Sequence, residues 1–242
     1  NYRRNTRTND KKIKRGVNYM IKAVLFDLDG TLLPMDEKKF TEYYFGLLCK
    51  KLEPLGYDKE KLIKTIWAGT SLMIKNDGGL TNEKVFWQHF ADVYGKDKLS
   101  DKRVFDDFYV TEFKRAKIVC GENPDARKII DYAKSLKLKI ILASNPVFPI
   151  AGLLTRAEFV GLNDKDFDYV SGYENSGYAK PNPDYYKEIL NANRLAAEEA
   201  IYFGNSKTED FDPAESAGIK CFLVNSDRLQ YDYFVSAMNG VK

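Results

Sequence analysis

The sequence predicts an α/β fold in which a parallel β-sheet is interrupted by a mainly helical segment. An apolar, β-prone run at residues 23–26 is followed, over residues 38–117, by apolar side chains at helical spacing. From residue 120 onward, helix patterns alternate with short β-rich runs. Such alternation is typical of a parallel sheet with helices on both faces. At 242 residues, the chain can form one domain with an insertion or two domains.

The individual elements follow from local patterning. The helical segment is divided by turn signals such as Asn76-Asp77-Gly78-Gly79, and both tryptophans, Trp67 and Trp87, are expected in its core. The expected boundaries are residues 37–118 for this helical domain, and residues 20–36 plus 119–242 for the sheet domain. After the helical segment, the patterns predict helices at 124–136, 184–191 and 209–217, and strands at 139–144, 168–171, 200–203 and 220–224.

The first 19 residues differ in charge from the rest. They hold seven of the 38 basic residues and one of the 35 acidic residues, so the remaining chain has a net charge of about −3. A basic, aperiodic segment is compatible with an anionic tether, but we expect a disordered or tag-like leader. We therefore expect no nucleic-acid partner.

Membrane and secretory features are missing from the sequence pattern. No apolar run approaches the roughly 18 residues of a membrane span, and the basic start lacks the apolar core of a secretory signal. The three cysteines are scattered and odd in number, which favours a reducing compartment. The expected location is the cytoplasm, without a membrane partner.

Polar residues follow the predicted strands at the edge where parallel sheets bind ligands. Asp27 and Asp29, at the end of the first strand, share one face of the extended backbone. Two carboxylates this close repel each other unless a cation or a shared proton offsets the charge. The pair predicts a metal site or a division of nucleophile and acid–base roles. Later strand ends or helix starts contribute Ser144 with Asn145, Lys180 before a proline, and Gly204-Asn205 with Asp210.

These four segments, in this order, resemble the motifs of the haloacid dehalogenase (HAD) superfamily. The motifs are Asp-x-Asp-Gly-Thr, a Ser or Thr after the second strand, a Lys followed by Pro, and an acidic loop after a glycine. The resemblance covers residues 20 to about 225. It implies a Rossmann-like parallel-sheet core with a helical C1-type cap, as in phosphoglycolate phosphatase-like members. It also implies Mg²⁺-dependent hydrolysis of a small-molecule phosphomonoester through an aspartyl-phosphate intermediate.

The resemblance assigns roles to residues of the first three motifs. Asp27 resembles the nucleophile and Asp29 the general acid/base. Ser144 and the backbone N–H of Asn145 would bind phosphoryl oxygens. Lys180 would supply positive charge to the nucleophile and the transferred group. Thr31 either orients Asp27, as a phosphate-site residue, or caps the turn.

The fourth motif departs from the commonest family form. The resemblance implies metal ligation by Asp27, the backbone carbonyl of Asp29, and the acidic loop. That loop has Asn205 where most relatives have aspartate, and Asp210 is its remaining acid. We expect Asp27 and Asp210 to be the charged metal ligands, with Asn205 as a neutral ligand or as a hydrogen-bond donor behind them. An amide oxygen ligates a hard cation without charge, so we expect weaker Mg²⁺ binding than at an all-acid site.

The helical insertion falls between the first and second motifs, where relatives carry a cap that closes over the site. A closed site favours a small phosphorylated metabolite and argues against a protein phosphatase. Two alternatives stay open: a phosphomutase of the β-phosphoglucomutase type, and a catalytically weak phospholigand-binding protein, for which Asn205 is the support. The particular phosphomonoester and the oligomeric state are left open.

Overall fold

The computed structural model describes residues 20–241. The predicted basic leader, residues 1–19, lies outside the described residues. Five parallel strands form a sheet with the order β3-β2-β1-β4-β5, which confirms the predicted α/β class. The strands are β1 (Ala23–Phe26), β2 (Lys139–Leu142), β3 (Tyr169–Val170), β4 (Ala200–Gly204) and β5 (Lys220–Leu223).

Helices fill the sequence between and after the strands. Those between β1 and β2 include α1 (Glu37–Leu52), α2 (Lys59–Ile74), α3 (Asn82–Tyr94), α4 (Lys102–Val110) and α5 (Ala126–Ser135). The later ones are α6 (Ile150–Glu158), α7 (Pro183–Asn193), α8 (Asp212–Ser216) and α9 (Tyr231–Asn239). Short 3₁₀ turns occupy Glu53–Leu55, Lys96–Asp101, Glu112–Val119, Asp164–Asp166 and Ala197–Glu199, and a π-helical turn spans Lys207–Phe211.

Side-chain caps fix where the first three helices begin. Asp36 accepts a hydrogen bond from the backbone N–H of Lys39 at 3.1 Å, and Asp58 accepts one from Lys61 at 2.8 Å. Thr81 does the same at the start of α3. Each cap satisfies a backbone donor that has no partner inside the helix, which favours helix formation at that position.

The central strand β1 is buried on both faces of the sheet. On one face, Phe26 packs against Phe203 and Phe234, with ring centroids 5.8 and 5.6 Å apart. Phe234 belongs to α9, so the aromatic C-terminal region packs on the sheet. On the other face, Leu25 packs in a second apolar cluster with Tyr185 and Tyr202. Because both faces of β1 are buried, its sequence is a continuous apolar run.

Aromatic side chains form the core of the inserted helices. Phe90, Phe108 and Phe113 are fully buried, and Trp87 is 7% exposed, as expected for that tryptophan. The expectation for Trp67 is wrong, because its side chain is 51% exposed. The buried residues of α2 are Leu62, Thr65, Ile66, Gly69 and Met73. Trp67 lies outside this buried set, and its side chain borders a cavity.

One buried amide ties the inserted helices to the sheet domain. Asn82 is fully buried at the start of α3, and its Nδ2 donates to the carbonyls of Pro146 (3.1 Å) and Tyr178 (3.0 Å). Its Oδ1 accepts from Nδ2 of Asn76 at 2.9 Å. Gly78 lies against the Tyr178 ring, where a Cβ would come within 2.5 Å. This turn is therefore packed against the loops that follow β2 and β3.

Candidate active site

The strand order brings the ends of β1, β2 and β4 together, and the predicted residues meet there. Asp27, directly after β1, is 5% exposed. Its Oδ2 accepts a hydrogen bond from the hydroxyl of Thr31 at 3.0 Å, and its Oδ1 accepts one from Nζ of Lys180 at 2.8 Å. Gly30 makes the turn between them with a φ of +77°, a conformation that favours glycine. Both Asp27 oxygens are thus held in fixed directions.

Lys180 links three parts of the site. Its side chain is 3% exposed, and Nζ donates to Asp27, to the hydroxyl of Tyr202 (2.8 Å) and to Oδ1 of Asp210 (2.7 Å). Burial alone would lower the pKa of Lys180, but the carboxylates of Asp210 and Asp27 raise it well above its ordinary value. The ammonium is therefore kept charged beside Asp27.

Asp210 already accepts four hydrogen bonds. Lys180 and the Tyr202 hydroxyl donate to Oδ1, and the backbone N–H groups of Asn205 (3.0 Å) and Ser206 (2.9 Å) donate to Oδ2. Although burial raises the pKa of Asp210, Lys180 and the other donors lower it below the ordinary value. A direct bond from Asp210 to a metal would compete with these donors. The two backbone hydrogen bonds also hold the loop that carries Asn205 against Asp210.

Sequence reasoning missed Arg156, which pairs with Asp29. The guanidinium is 2% exposed and donates from Nη1 to Oδ2 of Asp29. It lies over the Phe148 ring, 4.4 Å from the centroid. Burial raises the pKa of Asp29, and Arg156 opposes that rise. The available signal was the position of Arg156 three residues after buried Leu153, on the inward side of α6.

Part of this ion pair has no partner within the described chain. Oδ1 of Asp29 and both Nε and Nη2 of Arg156 are buried without a hydrogen-bond partner. Buried polar atoms are normally hydrogen-bonded, and leaving them unpaired costs about 1–3 kcal/mol each. Such atoms cluster where a ligand or water completes the network.

The predicted phosphate-binding residues face the same space. Ser144 is 3% exposed, and its backbone carbonyl accepts from the hydroxyl of Tyr185 at 2.7 Å. The side-chain oxygen of Asn145 is buried without a partner. Thr31 lies behind Asp27, outside the cavity lining. Seven of the eight predicted side chains line one cavity of about 480 Å³, namely Asp27, Asp29, Ser144, Asn145, Lys180, Asn205 and Asp210.

The donor set fits a hard divalent cation. Within residues 20–241, no three Asp, Glu, His or Cys side chains form a metal cage by themselves. Mg²⁺ does not need one, because it usually keeps several waters and takes one or two protein carboxylates plus phosphate oxygens. Oδ2 of Asp27 and Oδ1 of Asn205, two oxygens of the kind that Mg²⁺ prefers, lie 3.0 and 3.4 Å from the same Thr31 hydroxyl.

The charge balance also favours a cation. Three carboxylates, those of Asp27, Asp29 and Asp210, are paired with two cationic side chains, Lys180 and Arg156. Burial raises the pKa of Asp27 to about 7, against the opposing charge of Lys180. A phosphate group would add further negative charge, which a divalent cation would offset.

This arrangement of four motifs at the strand ends agrees with comparison to known proteins. The chain matches the haloacid dehalogenase-like hydrolase family over residues 21–218 and belongs to that family. A phosphorylated carbohydrates phosphatase from Thermotoga maritima is 26% identical over 200 residues, covering 83% of both chains. A glyceraldehyde 3-phosphate phosphatase from Pyrococcus abyssi is 28% identical over 204 residues, covering 83% of this chain and 80% of the relative.

Solved structures share the fold. The HAD-hydrolase YfnB from Bacillus subtilis, bound to magnesium, matches with a TM-score of 0.55 and 17% identity, over 91% of this chain and 99% of that one. These comparisons confirm three predictions: the family, the α/β fold and an enzyme of the HAD type. Named phosphatases are among the relatives. None of the helices in residues 20–241 combines the length and apolar character that a membrane span needs.

Proposed function

We propose that this protein hydrolyses a small-molecule phosphomonoester through an aspartyl-phosphate on Asp27, with Mg²⁺. The observation that carries the proposal is the geometry of Asp27, whose two oxygens are aimed by Thr31 and Lys180 into a cavity that also holds Asp29 and Ser144. The family membership and the named phosphatases among the relatives support the same reaction class.

In the first half-reaction, a carboxylate oxygen of Asp27 attacks phosphorus and the bond to the leaving oxygen breaks. Lys180 balances negative charge on the transferred group, and Ser144 with the following backbone N–H binds its oxygens. Asp29 gives its proton to the leaving alkoxide. Arg156 then stabilises the Asp29 carboxylate that results, since the guanidinium already donates to it.

In the second half-reaction, Asp29 takes a proton from water, and the water oxygen attacks phosphorus of the aspartyl-phosphate. Inorganic phosphate leaves and the Asp27 carboxylate is restored. Asp29 regains the proton that it gave up, so the cycle closes.

For the metal, we propose Asp27, the backbone carbonyl of Asp29 and Asn205 as the protein ligands. Asp210, predicted as a ligand, is assigned instead to holding Lys180 and the Asn205 loop, because its oxygens already accept four hydrogen bonds. When bound, Mg²⁺ would neutralise charge between Asp27 and the phosphate.

We further propose that residues 37–118 act as the cap, with residues 20–36 and 119–242 as the catalytic core. The cavity supports this division, since helices α1–α4 line one side of it and the strand ends line the other. A small phosphorylated metabolite is the proposed partner, with no nucleic acid or membrane involved. The cytoplasm is the proposed compartment, and the free thiols of Cys49, Cys120 and Cys221 support it.

Phosphate release from p-nitrophenyl phosphate with Mg²⁺ tests the proposal. We expect wild-type turnover that EDTA abolishes, a loss of turnover in Asp27→Asn, and normal turnover in the surface control Asp131→Asn. Mass spectrometry should find a phosphoryl adduct on Asp27. Equal rates for wild type and Asp27→Asn would favour the phospholigand-binding alternative. Isomerisation of a sugar phosphate without phosphate release would favour the phosphomutase.

A further inference from the structure

Resting on the phosphatase proposed above, we propose that the free edge of the Arg156 guanidinium binds a carboxylate on the leaving alcohol. The substrate is then a phosphomonoester that carries a carboxylate close to its ester oxygen. Arg156 acts as a specificity-determining residue in addition to being the partner of Asp29. This assignment follows from which guanidinium nitrogens are bonded and from what surrounds the others.

The guanidinium has one bonded nitrogen and one unbonded edge. Its Nη1 donates to Oδ2 of Asp29, whereas Nε and Nη2 are buried without a hydrogen-bond partner among the described residues. The N–H of Nε and one N–H of Nη2 point in parallel from the same edge of the planar group. That edge is a fork that matches both oxygens of one carboxylate. Arg156 therefore offers a carboxylate fork that residues 20–241 leave unfilled.

The surroundings of Arg156 belong to the cavity. Arg156 lines it, and so do the two rings over which its guanidinium lies, Phe148 at 4.4 Å and Phe40 at 5.7 Å from the centroid. The Arg156 side chain is 2% exposed, so bulk water competes little for its donors. A hydrogen bond between ionised partners is stronger in such a desolvated place than in water. Because unpaired buried donors are unfavourable, the free edge favours a bound anion.

Tyrosine hydroxyls add further donors to the cavity lining. Those of Tyr44 and Tyr109 lie 2.9 Å apart and share one hydrogen bond, so the hydroxyl that accepts keeps its own O–H. Burial raises the pKa of Tyr44 to about 12, which keeps that hydroxyl protonated. The Tyr173 hydroxyl accepts from the indole N–H of Trp87 at 3.4 Å and likewise keeps its O–H. Away from Asp27, the lining is therefore rich in donors, as an oxyanion requires.

Two acceptor atoms of the lining are also unpaired. The proposed reaction assigns Oδ1 of Asp29 to the leaving oxygen and then to water. Oδ1 of Asn145 is free to accept a hydrogen bond from a hydroxyl of the substrate. A carboxylate and a neighbouring hydroxyl would together satisfy the Arg156 donors and the Asn145 acceptor. A phosphorylated hydroxy acid is therefore the substrate class that matches the unpaired atoms best.

The position of the fork limits where the carboxylate lies on the substrate. Nη1 of Arg156 bonds Asp29, the proposed acid, so the fork lies next to the group that protonates the leaving oxygen. The carboxylate therefore has to lie near that oxygen along the alcohol. An alcohol of three carbons, with the phosphate at one end and the carboxylate at the other, meets this requirement.

Two three-carbon phosphates that differ in one group test the inference. D-3-phosphoglycerate carries the carboxylate, and sn-glycerol 1-phosphate has the same chain and configuration with a hydroxymethyl group in its place. We expect kcat/KM, measured with Mg²⁺, to be at least about tenfold higher for D-3-phosphoglycerate. Equal turnover of the two, or faster turnover of sn-glycerol 1-phosphate, would overturn the inference and leave the phosphatase proposal intact.

Arg156→Lys separates the fork from the charge. Lysine keeps a positive charge near Asp29 but cannot present two parallel donors. Because Asp29 acts on both substrates, a general effect on it cancels in the ratio of the two kcat/KM values. We expect that ratio to fall about fivefold or more in Arg156→Lys and to stay unchanged in the control Arg103→Lys, at an exposed position of α4. An unchanged ratio in Arg156→Lys would contradict the assignment.

Binding to a variant without the nucleophile separates this inference from the proposed function. For Asp27→Asn with Mg²⁺, calorimetry should give a Kd for D-3-phosphoglycerate about tenfold lower than for sn-glycerol 1-phosphate. Such a preference, together with no phosphate release by the wild type, would overturn the phosphatase proposal and support the carboxylate site. Equal Kd values for the two phosphates would overturn the carboxylate site.

Discussion

Replacing Arg156 by methionine tests how Asp29, the proposed acid/base residue, is held. Methionine keeps an unbranched chain between Phe148 and Phe40 but removes the charge that faces Asp29. Removing one partner of a buried ion pair typically costs about 3–5 kcal/mol. The Asp29 side chain is 23% exposed, so water relieves part of that cost. We therefore expect a loss of about 3 kcal/mol, which lowers Tm by roughly 6–12 °C in a chain of this size.

A double-mutant cycle separates the ion pair from general packing. Chemical denaturation at pH 8 with EDTA would be measured for wild type, Arg156→Met, Asp29→Asn and the double variant. With the neutral amide at position 29, the Arg156→Met step should cost about 2 kcal/mol less than it does beside the carboxylate. Exposed Arg103→Met serves as the control and should leave stability unchanged. A coupling free energy near zero would refute the assigned role of Arg156.

Three further outcomes follow from residues around the site and the core. Asn205→Asp adds charge to the proposed metal position and should lower the Mg²⁺ concentration for half-maximal activity about tenfold; a titration showing an equal or higher requirement would contradict this. Arg127 and Lys134 hold the pKa of Asp166 well below its ordinary value. Asp166→Asn should therefore cost about 1–2 kcal/mol at pH 7. Denaturation curves should show this difference shrinking as pH falls below about 4. The reason is that the stability from a depressed pKa is fully present above the pKa of the unfolded state and is lost as pH falls toward the pKa of the folded state. Asn82→Ala leaves one buried and one partly buried carbonyl without their donor and should cost about 2–3 kcal/mol, with faster hydrogen exchange in residues 76–82. Unchanged exchange there would argue against its role in joining the two parts of the chain.

The strands were predictable because each is a short apolar run with a clear end. All five appear within a few residues of the predicted positions, although the strand predicted at 139–144 ends at Leu142. Helix α6 was not predicted, because its sequence is short and mostly apolar and lacks a clear pattern of apolar residues three and four positions apart. The helix predicted at 209–217 is instead a π-helical turn followed by α8, because Asp210 turns inward to bond the loop backbone.

The residues of the candidate site were predictable where they belong to short sequence motifs. Seven of its eight predicted side chains line one cavity, because parallel strands end at the same edge. Arg156 lay outside any motif, and only the packing of α6 brings it to Asp29. Trp67 was misjudged for a related reason. Helical spacing gives the face of a helix, but the position of a cavity along that face depends on how the helices pack.

The four hydrogen bonds of Asp210 have a consequence for any mutational survey of this enzyme. One carboxylate holds both the Lys180 ammonium next to Asp27 and the loop that carries Asn205. Trimming that carboxylate would loosen two neighbours at once, and the damage would look like a lost magnesium ligand. Activity measurements alone would therefore not separate the proposed role of Asp210, which is to hold these two groups in position, from direct ligation of the ion.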